Sequence, residues 1–341
     1  MKKKTAVVIL NWNGKSFLEK FLPAVIRYST GDASVIVADN ASSDGSVEYL
    51  KENFPEVGII ENNENGGFAK GYNDALSQVD AEYFVLLNSD IEVTENWISP
   101  VISMLENNPQ VAACQPTIRS YHQPEKFEYA GAAGGFIDAW GYPFCRGRIF
   151  QNLEEDHGQY DDVMEIFWAT GACMFIRADV FRSLGGFDED FFAHMEEIDF
   201  CWRAKHAGYK IMACPQSKVF HVGGGTLPKQ SSFKTYLNMR NNISMLYKNL
   251  PANRLVPIFI FRLLLDGVAA FKFLVDGGFA DFWAVVRAHM SFYRRYPKHR
   301  KKRKGIIHTQ VSNIYRGNIV VDHFIRRKKK FSELQASKFS K

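Results

Sequence analysis

The chain has 341 residues, 46% of them hydrophobic, and a formal net charge of +5, enough apolar material for one large α/β domain with an appendage. Its basic residues gather at 294–304 and 326–330 while the rest is mixed in charge; a nucleic-acid binder would carry basic residues through the folded domain as well, so no nucleic-acid partner is expected. Five scattered cysteines (Cys114, Cys145, Cys173, Cys201, Cys214) form no C-x-x-C pair, which argues against a zinc site of that kind and for reduced, buried thiols in a cytosolic setting.

Three lysines at the N-terminus precede a short apolar run, 6–10. It is too short for the core of a signal peptide and reads as a first strand. Up to about residue 120, β-branched runs alternate with segments of helical period, the pattern of strand-helix-strand units in a mostly parallel, Rossmann-like sheet flanked by helices. The predicted strands are 6–10, 34–38, 57–60, 83–87 and 111–114. Helices between them are marked by Phe17, Phe21 and Val25, by Val47 and Leu50, by Ala75 and Leu76, and by 97–105. The right-handed crossover of such units gathers the strand-to-helix loops on one edge, where a ligand should sit.

Residues 120–165 are rich in glycine and aromatics without a clear period, and an irregular, mobile stretch is expected there, a lid or a long loop. Order returns with a strand at 172–176, a helix at 178–184, a helix at 198–207 and extended runs at 210–213 and 218–222. Beyond about residue 230, helices with large apolar faces are predicted at 255–275 and 279–292. Arg262, Asp266 and Lys272 interrupt the first, so it fits a helix lying in the membrane interface better than one crossing the bilayer. The basic run 294–304 would suit anionic headgroups; the alternative is ordinary packing helices with a solvated basic tail. The expected division is a catalytic domain, 1–230, and a helical, basic, membrane-associating extension, 231–341.

Six constellations could carry chemistry. Asn11 and Asn13, with Trp12 and Gly14, follow the first strand, where polar side chains can face a ligand or simply form a turn. Asp39 closes the second strand and can accept hydrogen bonds from a base or ribose, while Ser42, Ser43 or Asp44 can cap the next helix. Asn65, Gly66, Gly67 and Lys70 precede or open a helix whose free N–H groups and nearby ammonium suit a diphosphate; the spacing is neither that of a Walker loop nor that of a Rossmann glycine motif. Asn88-Ser89-Asp90 ends an apolar strand, a place for Mg²⁺ or Mn²⁺ bridging phosphates. Glu196, Glu197 and Asp199 crowd the start of a helix, where mutual repulsion raises carboxyl pKa values toward those of a general base, although acids also favour a first helical turn. His221, before the run Gly223-Gly224-Gly225-Thr226, could serve as a metal ligand ahead of a loop able to close over substrate.

Taken in order, these segments resemble the inverting GT-A glycosyltransferases of family 2, in particular the rhamnosyltransferase-like branch. The resemblance covers about residues 5–225 and rests on Val8-Ile9-Leu10-Asn11-Trp12-Asn13-Gly14, Val37-Ala38-Asp39-Asn40-Ala41-Ser42, Asn65-Gly66-Gly67-Phe68-Ala69, Leu86-Leu87-Asn88-Ser89-Asp90, Gly171-Ala172-Cys173-Met174, and Glu196-Glu197-Ile198-Asp199 with Arg203. It implies a GT-A α/β fold in which Asn11 and Asp39 face the base and ribose. Asp90 would hold a divalent metal, Mn²⁺ or Mg²⁺, as the last acid of the family's D-x-D motif. The first acid of that motif is replaced by Asn88. His221 matches a histidine metal ligand found in some relatives, Trp168, Gly171 and Ala172 fall beside the acceptor, and Glu197 takes the position of the base, with Glu196 and Asp199 as alternatives. The implied activity moves a sugar, rhamnose among those the branch uses, from a nucleotide-diphosphate donor to a glycan or lipid-linked acceptor in cell-surface polysaccharide synthesis. That work would be done in the cytoplasm, peripherally on the inner face of the cell membrane. The rivals are a nucleotidyltransferase that makes sugar nucleotides and a non-catalytic carbohydrate-binding or scaffold protein at the membrane.

Overall fold

The computed structural model describes residues 3–223 and 231–341. The chain begins β1 (Thr5–Asn11), α1 (Lys15–Ser29), β2 (Ala33–Asp39), α2 (Ser46–Asn53), β3 (Gly58–Glu61), α3 (Gly67–Ser77), β4 (Tyr83–Asn88), β5 (Ile91–Val93), α4 (Ser99–Asn107) and β6 (Val111–Ser120). β1 and β4 are buried along nearly their whole length, because central strands of a sheet covered on both faces need apolar side chains on both. α1 lays Leu18, Phe21, Leu22 and Val25 against the sheet, the i, i+3, i+4, i+7 stripe that a 3.6-residue period requires.

The next stretch folds into β7 (Gly135–Asp138), β8 (Pro143–Cys145), β9 (Arg148–Ile149), β10 (Asn152–Leu153) and β11 (Met164–Ile166), followed by β12 (Cys173–Arg177), α5 (Ala178–Ser183), α6 (Glu196–His206) and β13 (Lys210–His221). The main sheet has the order β11-β13-β6-β12-β4-β1-β2-β3, with β5 paired to β13. β1 to β4 are mutually parallel wherever they pair, but β12 enters antiparallel between β4 and β6, so the sheet is mixed. The two extended runs expected at 210–213 and 218–222 are one strand, β13, whose register against β6 shifts between Cys214 and Lys218. An irregularity of that kind breaks the alternation of side chains and reads in a sequence as a gap.

Residues 120–165 depart from the expected irregular, mobile loop. Strands β7 to β10 form a second, five-stranded sheet completed by β14 (Ile314–Tyr315), which runs parallel to β7. Its core is aromatic, with Phe136, Phe144, Tyr315, Phe331 and Phe339 in ring contact. The C-terminal region is thus built into the same body as the stretch before β11. Its helices are α7 (Ser232–Asn249), α8 (Ala252–Val275) and α9 (Phe279–Lys304). The basic run 294–304 is helical rather than a tail, and Lys298 and Lys302 are ion-paired to Asp190 and Asp188. All five cysteines are free and buried.

Candidate active site

β4 ends at Asn88, and the chain turns through Ser89 and Asp90 directly into β5. β5 pairs antiparallel with β13, Ile91 opposite His221, which brings Asp90 and His221, 131 positions apart in sequence, side by side. Asp90 Oδ1 lies 3.2 Å from His221 Nε2, and Glu128 Oε2 lies 3.1 Å from the other ring nitrogen, Nδ1. All three residues are buried. Burial opposes a charge on the imidazole, but the two carboxylates outweigh it and raise His221 to about 10. Against the cost of their own burial, the same contacts hold the Asp90 and Glu128 carboxyls below their ordinary range.

The opposite wall is the start of α6. The segment leading into it is contorted, with Phe192, His194 and Met195 at φ of 65°, 71° and 74°, a region costly for residues with side chains. Tertiary contacts hold it there. Asn241 of α7, fully buried, donates through Nδ2 to the carbonyls of Phe191, Ala193 and His194, and Arg240 donates to those of Asp190 and Phe191. Gly67 approaches from α3, and a Cβ there would lie 2.4 Å from the Phe192 carbonyl oxygen. The result aims Glu196 and Glu197 into the cavity. The Oε2 atom of each is out of solvent and meets no hydrogen-bond partner among the described residues. Burial pushes Glu197 up to about 7. Glu196, more deeply placed, is held well above its ordinary range by burial and by the Glu197 charge.

Both walls face one cavity of about 480 Å³. Asp90, His221, Glu196, Glu197, Asn88, Asn65, Gly67, Gly171 and Ala172 all line it, as do Trp12 and Asn40. The other residues singled out in the sequence lie elsewhere, each for a visible reason. Asp199, an alternative for the base, does not line the cavity: it is fully buried and its carboxylate is taken by Lys248, Arg203 and Asn249. Trp168, expected beside the acceptor, does not line the cavity: its ring packs on Gly135 and its Nε1 donates to the Phe136 carbonyl. Lys70 reaches away from the cavity to Asp74 and Glu64. Asn11 and Asp39 stand behind the cavity wall; Asn11 donates to Asp39, and Asp39 accepts from the Ser42 amide. Asn13 Oδ1 accepts from the Ser43 amide. These three order the loops after β1 and β2. The glycine-rich loop after His221 lies, from Gly224 to Thr226, outside the described residues.

Glu128 escaped the sequence reading because it sits in the stretch without period and has no motif around it. Asn40 was overlooked beside Asp39, yet it ties three segments together, donating to Asn65 and to the Gly67 carbonyl and accepting from Asn62.

The donor set at Asp90 and His221 suits a divalent cation. A carboxylate oxygen and an imidazole nitrogen converge, and a second carboxylate on Nδ1 fixes the ring, the arrangement usual behind a metal-bound histidine. Among the described residues no group of three or more His, Cys, Asp or Glu side chains is placed to hold a metal ion.

The model of glycosyl transferase family 2 matches residues 6–185. Over 233 residues the chain is 25% identical to the N-acetylglucosaminyl-diphospho-decaprenol L-rhamnosyltransferase of Mycobacterium tuberculosis, covering 63% of this chain and 75% of that protein. Over 244 residues it is 24% identical to the low-salt glycan biosynthesis hexosyltransferase of Haloferax volcanii, covering 69% and 73%. Among solved structures it resembles a mannosyltransferase from Pyrobaculum calidifontis in complex with GDP-Man and Mn²⁺ (TM-score 0.52, 16% identity, 89% of this chain and 85% of that one). It also resembles GalNAc-T7 with UDP, GalNAc and Mn²⁺ (TM-score 0.56, 16% identity, 74% and 49%), of which it spans about half. At these identities the likeness is one of fold, the GT-A arrangement.

Proposed function

The chain belongs to glycosyl transferase family 2 and is a glycosyltransferase, and from that premise we propose an inverting enzyme that moves a sugar, of the rhamnose type, from a nucleotide-diphosphate donor to a lipid-linked glycan acceptor at a membrane surface. The observation that carries this reading is one cavity with Asp90 and His221 on one wall and Glu197, whose Oε2 meets no hydrogen-bond partner among the described residues, on the other.

Glu197 takes the proton of the acceptor hydroxyl; a carboxyl pushed to about 7 is half ionised near neutrality and holds a proton well enough to accept one. The freed oxygen attacks the anomeric carbon from the side opposite the diphosphate. The bond from that carbon to the diphosphate oxygen breaks, and its electron pair leaves with the nucleotide diphosphate, inverting the configuration. Glu196 stays protonated, so the buried pair carries a single charge. A divalent cation, Mn²⁺ or Mg²⁺, bound by Asp90 and His221 would supply positive charge beside the departing diphosphate. Asn88, Asn65 and the backbone around Gly67 line the donor side, and Gly171 and Ala172 the acceptor side.

The membrane part of the reading rests on α8. No helix among the described residues is long and apolar enough to cross a bilayer. However, two of the three charges interrupting its apolar run, Arg262 and Asp266, face inward and pair at 3.0 Å, while Lys272 lies outside and pairs with Asp276. Its outward side exposes Val256, Ile260, Leu264, Val268, Phe271 and Val275, the face of a helix lying in the interface, and residues 231–341 are read as the membrane-facing extension.

The test is a melting-temperature panel of UDP-, dTDP- and GDP-sugars with and without Mn²⁺, together with turnover of Glu197→Gln. One donor should raise the melting temperature, because a ligand that binds only the folded state stabilises it. Glu197→Gln should keep that shift and lose turnover by about 10²–10⁴-fold. Full turnover by Glu197→Gln, or a panel in which no sugar nucleotide shifts melting, would overturn the reading.

A further inference from the structure

Lys298 and Lys302 lie one turn apart on α9, so their side chains leave the same face of the helix. Both reach across to the segment between α5 and α6. Lys298 Nζ is 2.6 Å from Asp190 Oδ1, and Lys302 Nζ pairs with Oδ2 of Asp190 and with Oδ1 of Asp188. Through its other oxygen Asp188 pairs with Lys248 of α7, which also lies 2.9 Å from Asp199. Arg203 closes the set from α6, 2.9 Å from Asp199. Three carboxylates and four cations form one connected network.

That network brackets the turn that delivers Glu197. Asp188 and Asp190 stand ahead of it, and Asp188 Oδ1 also accepts from the Asp190 amide at 3.1 Å, capping the short 3-10 turn Glu189–Phe191. Asp199 stands behind it in the first turn of α6. Between them come Phe192, His194 and Met195, all with positive φ, and then Glu196 and Glu197. Such a path is unfavourable for residues with side chains and persists only where the surroundings hold it. Asn241 and Arg240 hold its carbonyls, and the lysines hold the acids at its root.

Of those lysines, Lys302 is the one that Asp188 and Asp190 share. Burial opposes charge on both carboxyls, but the lysines outweigh it and hold them below their ordinary range. The Asp188 charge also works against ionisation of Asp190. Without Lys302, Asp190 would keep only Lys298, a lysine whose side chain is 59% exposed, and an ion pair so open to water contributes little. Two largely buried carboxylates would then repel each other at the start of the turn.

Resting on the reading of Glu197 as the base, we infer that Lys302 is a positioning residue for the reaction: by neutralising Asp188 and Asp190 together, it keeps residues 191–195 on the path that sinks Glu197 into the cavity wall. α9 then serves the chemistry as well as the surface. The lysine acts through the backbone and not through its own field. Burial is what raises Glu197, with backbone contacts at residues 195–198 opposing it. Loss of a nearby cation would raise a carboxyl further, whereas release of the turn into water would lower it, so the direction of the change separates the two.

The test is an NMR titration of the full-length protein carrying isotope-labelled glutamate carboxyls, with the Glu197 signal identified by its absence in Glu197→Gln. The wild-type midpoint should be about 7. Lys302→Met should lower it by about 1 pH unit or more, toward the value of about 4.3 for an exposed glutamate, and Lys302→Arg, which keeps the charge, should restore it. Adding Asp190→Asn to Lys302→Met should restore it too, because the repulsion that the lysine relieves is gone. A side chain needed only for packing gives no such rescue, so failure of both rescues overturns the proposal. Lys302→Met should also lose kcat by about tenfold or more while keeping the donor's KM and melting shift; Lys301→Met, on the exposed neighbouring lysine, should change none of these. Should Lys302→Met not fold, Lys298→Met, which removes one exposed contact, carries the same test with a smaller downward shift. A folded variant whose Glu197 midpoint stays in place or rises overturns the proposal whatever its turnover, and a wild-type midpoint already at the ordinary value removes both the positioning and the base. A lowered midpoint in a protein that transfers no sugar from any donor leaves the link between Lys302 and Glu197 standing and removes the glycosyltransfer reading.

Discussion

Glu196 and Glu197 are neighbours in sequence, yet only the second is suited to exchange a proton near neutrality. Glu197 titrates at about 7 and Glu196 well above its ordinary range, so turnover should rise with pH through about 7 as Glu197 ionises and level off above it. The stability effect has the opposite sign. A carboxyl whose folded pKa is raised keeps its proton in the fold while the unfolded chain, at about 4.3, has released it. Between those values the folded state binds more protons, so stability falls as pH rises. Denaturant titrations from pH 4 to 8 should show wild type losing stability relative to Glu197→Gln across that window; parallel curves would mean that Glu197 carries no raised pKa. Asp199 makes the contrasting case. Its carboxylate neutralises Lys248 and Arg203 in the core, so Asp199→Ala should destabilise the fold by about 3 kcal/mol, the cost of leaving buried charge uncompensated. Below its lowered unfolding midpoint it should still bind donor with wild-type affinity, which an essential base or donor ligand could lose.

At the scale of elements, the cavity wall that carries Glu196 and Glu197 is held by two close approaches, α3 through Gly67 and α7 through Asn241. Gly67 has φ of 74°, and a Cβ would overlap the Phe192 carbonyl oxygen, so Gly67→Ala should cost about 1–3 kcal/mol. It should also displace the turn that delivers Glu197, lowering kcat beyond what donor affinity explains; wild-type kcat in a stable Gly67→Ala protein would show that the approach is not needed. The legibility of these elements followed their physics. β1 and β4 were readable because central strands buried on both faces leave continuous apolar runs. β7 to β10 were not, since strands of two to four residues carry no measurable period and their partner β14 comes from the far end of the chain. The antiparallel entry of β12 depends on a long connection that no local pattern records. Asp90 and His221 could be marked singly, but only the pairing of β5 with β13 puts them together, and Glu128 had no local sign at all. Asp199 could not be told apart from its neighbours, because three acids in four residues look alike until Lys248, 49 residues on, is seen to pair with one of them.

For the molecule as a whole, the apolar stripe of α8 is hard to account for in water alone. The inward row, Ile258, Arg262, Asp266 and Ala270, is buried, whereas Val268, Phe271 and Val275 are 66%, 66% and 69% exposed. A contiguous exposed apolar patch of that kind marks an interaction surface. In the middle of the helix the charged pair Arg262 and Asp266 is turned toward the protein while apolar side chains face out, the reverse of the pattern that keeps an ordinary surface helix soluble. Burying such side chains in a lipid interface gains roughly 25 cal/mol for each Å² withdrawn from water, and the basic end of α9 adds attraction to anionic headgroups. Replacing both Val268 and Phe271 by Glu should therefore leave the melting temperature near that of wild type, because neither side chain supports the core. It should reduce co-sedimentation with vesicles containing an anionic phospholipid by about tenfold or more, since each charge must then be kept in water. Turnover on a water-soluble acceptor should persist while turnover on a vesicle-embedded one falls. If the double variant binds vesicles as wild type does but changes the sedimentation coefficient of the free protein, the stripe is a contact between copies of this chain, and the membrane reading of α8 fails.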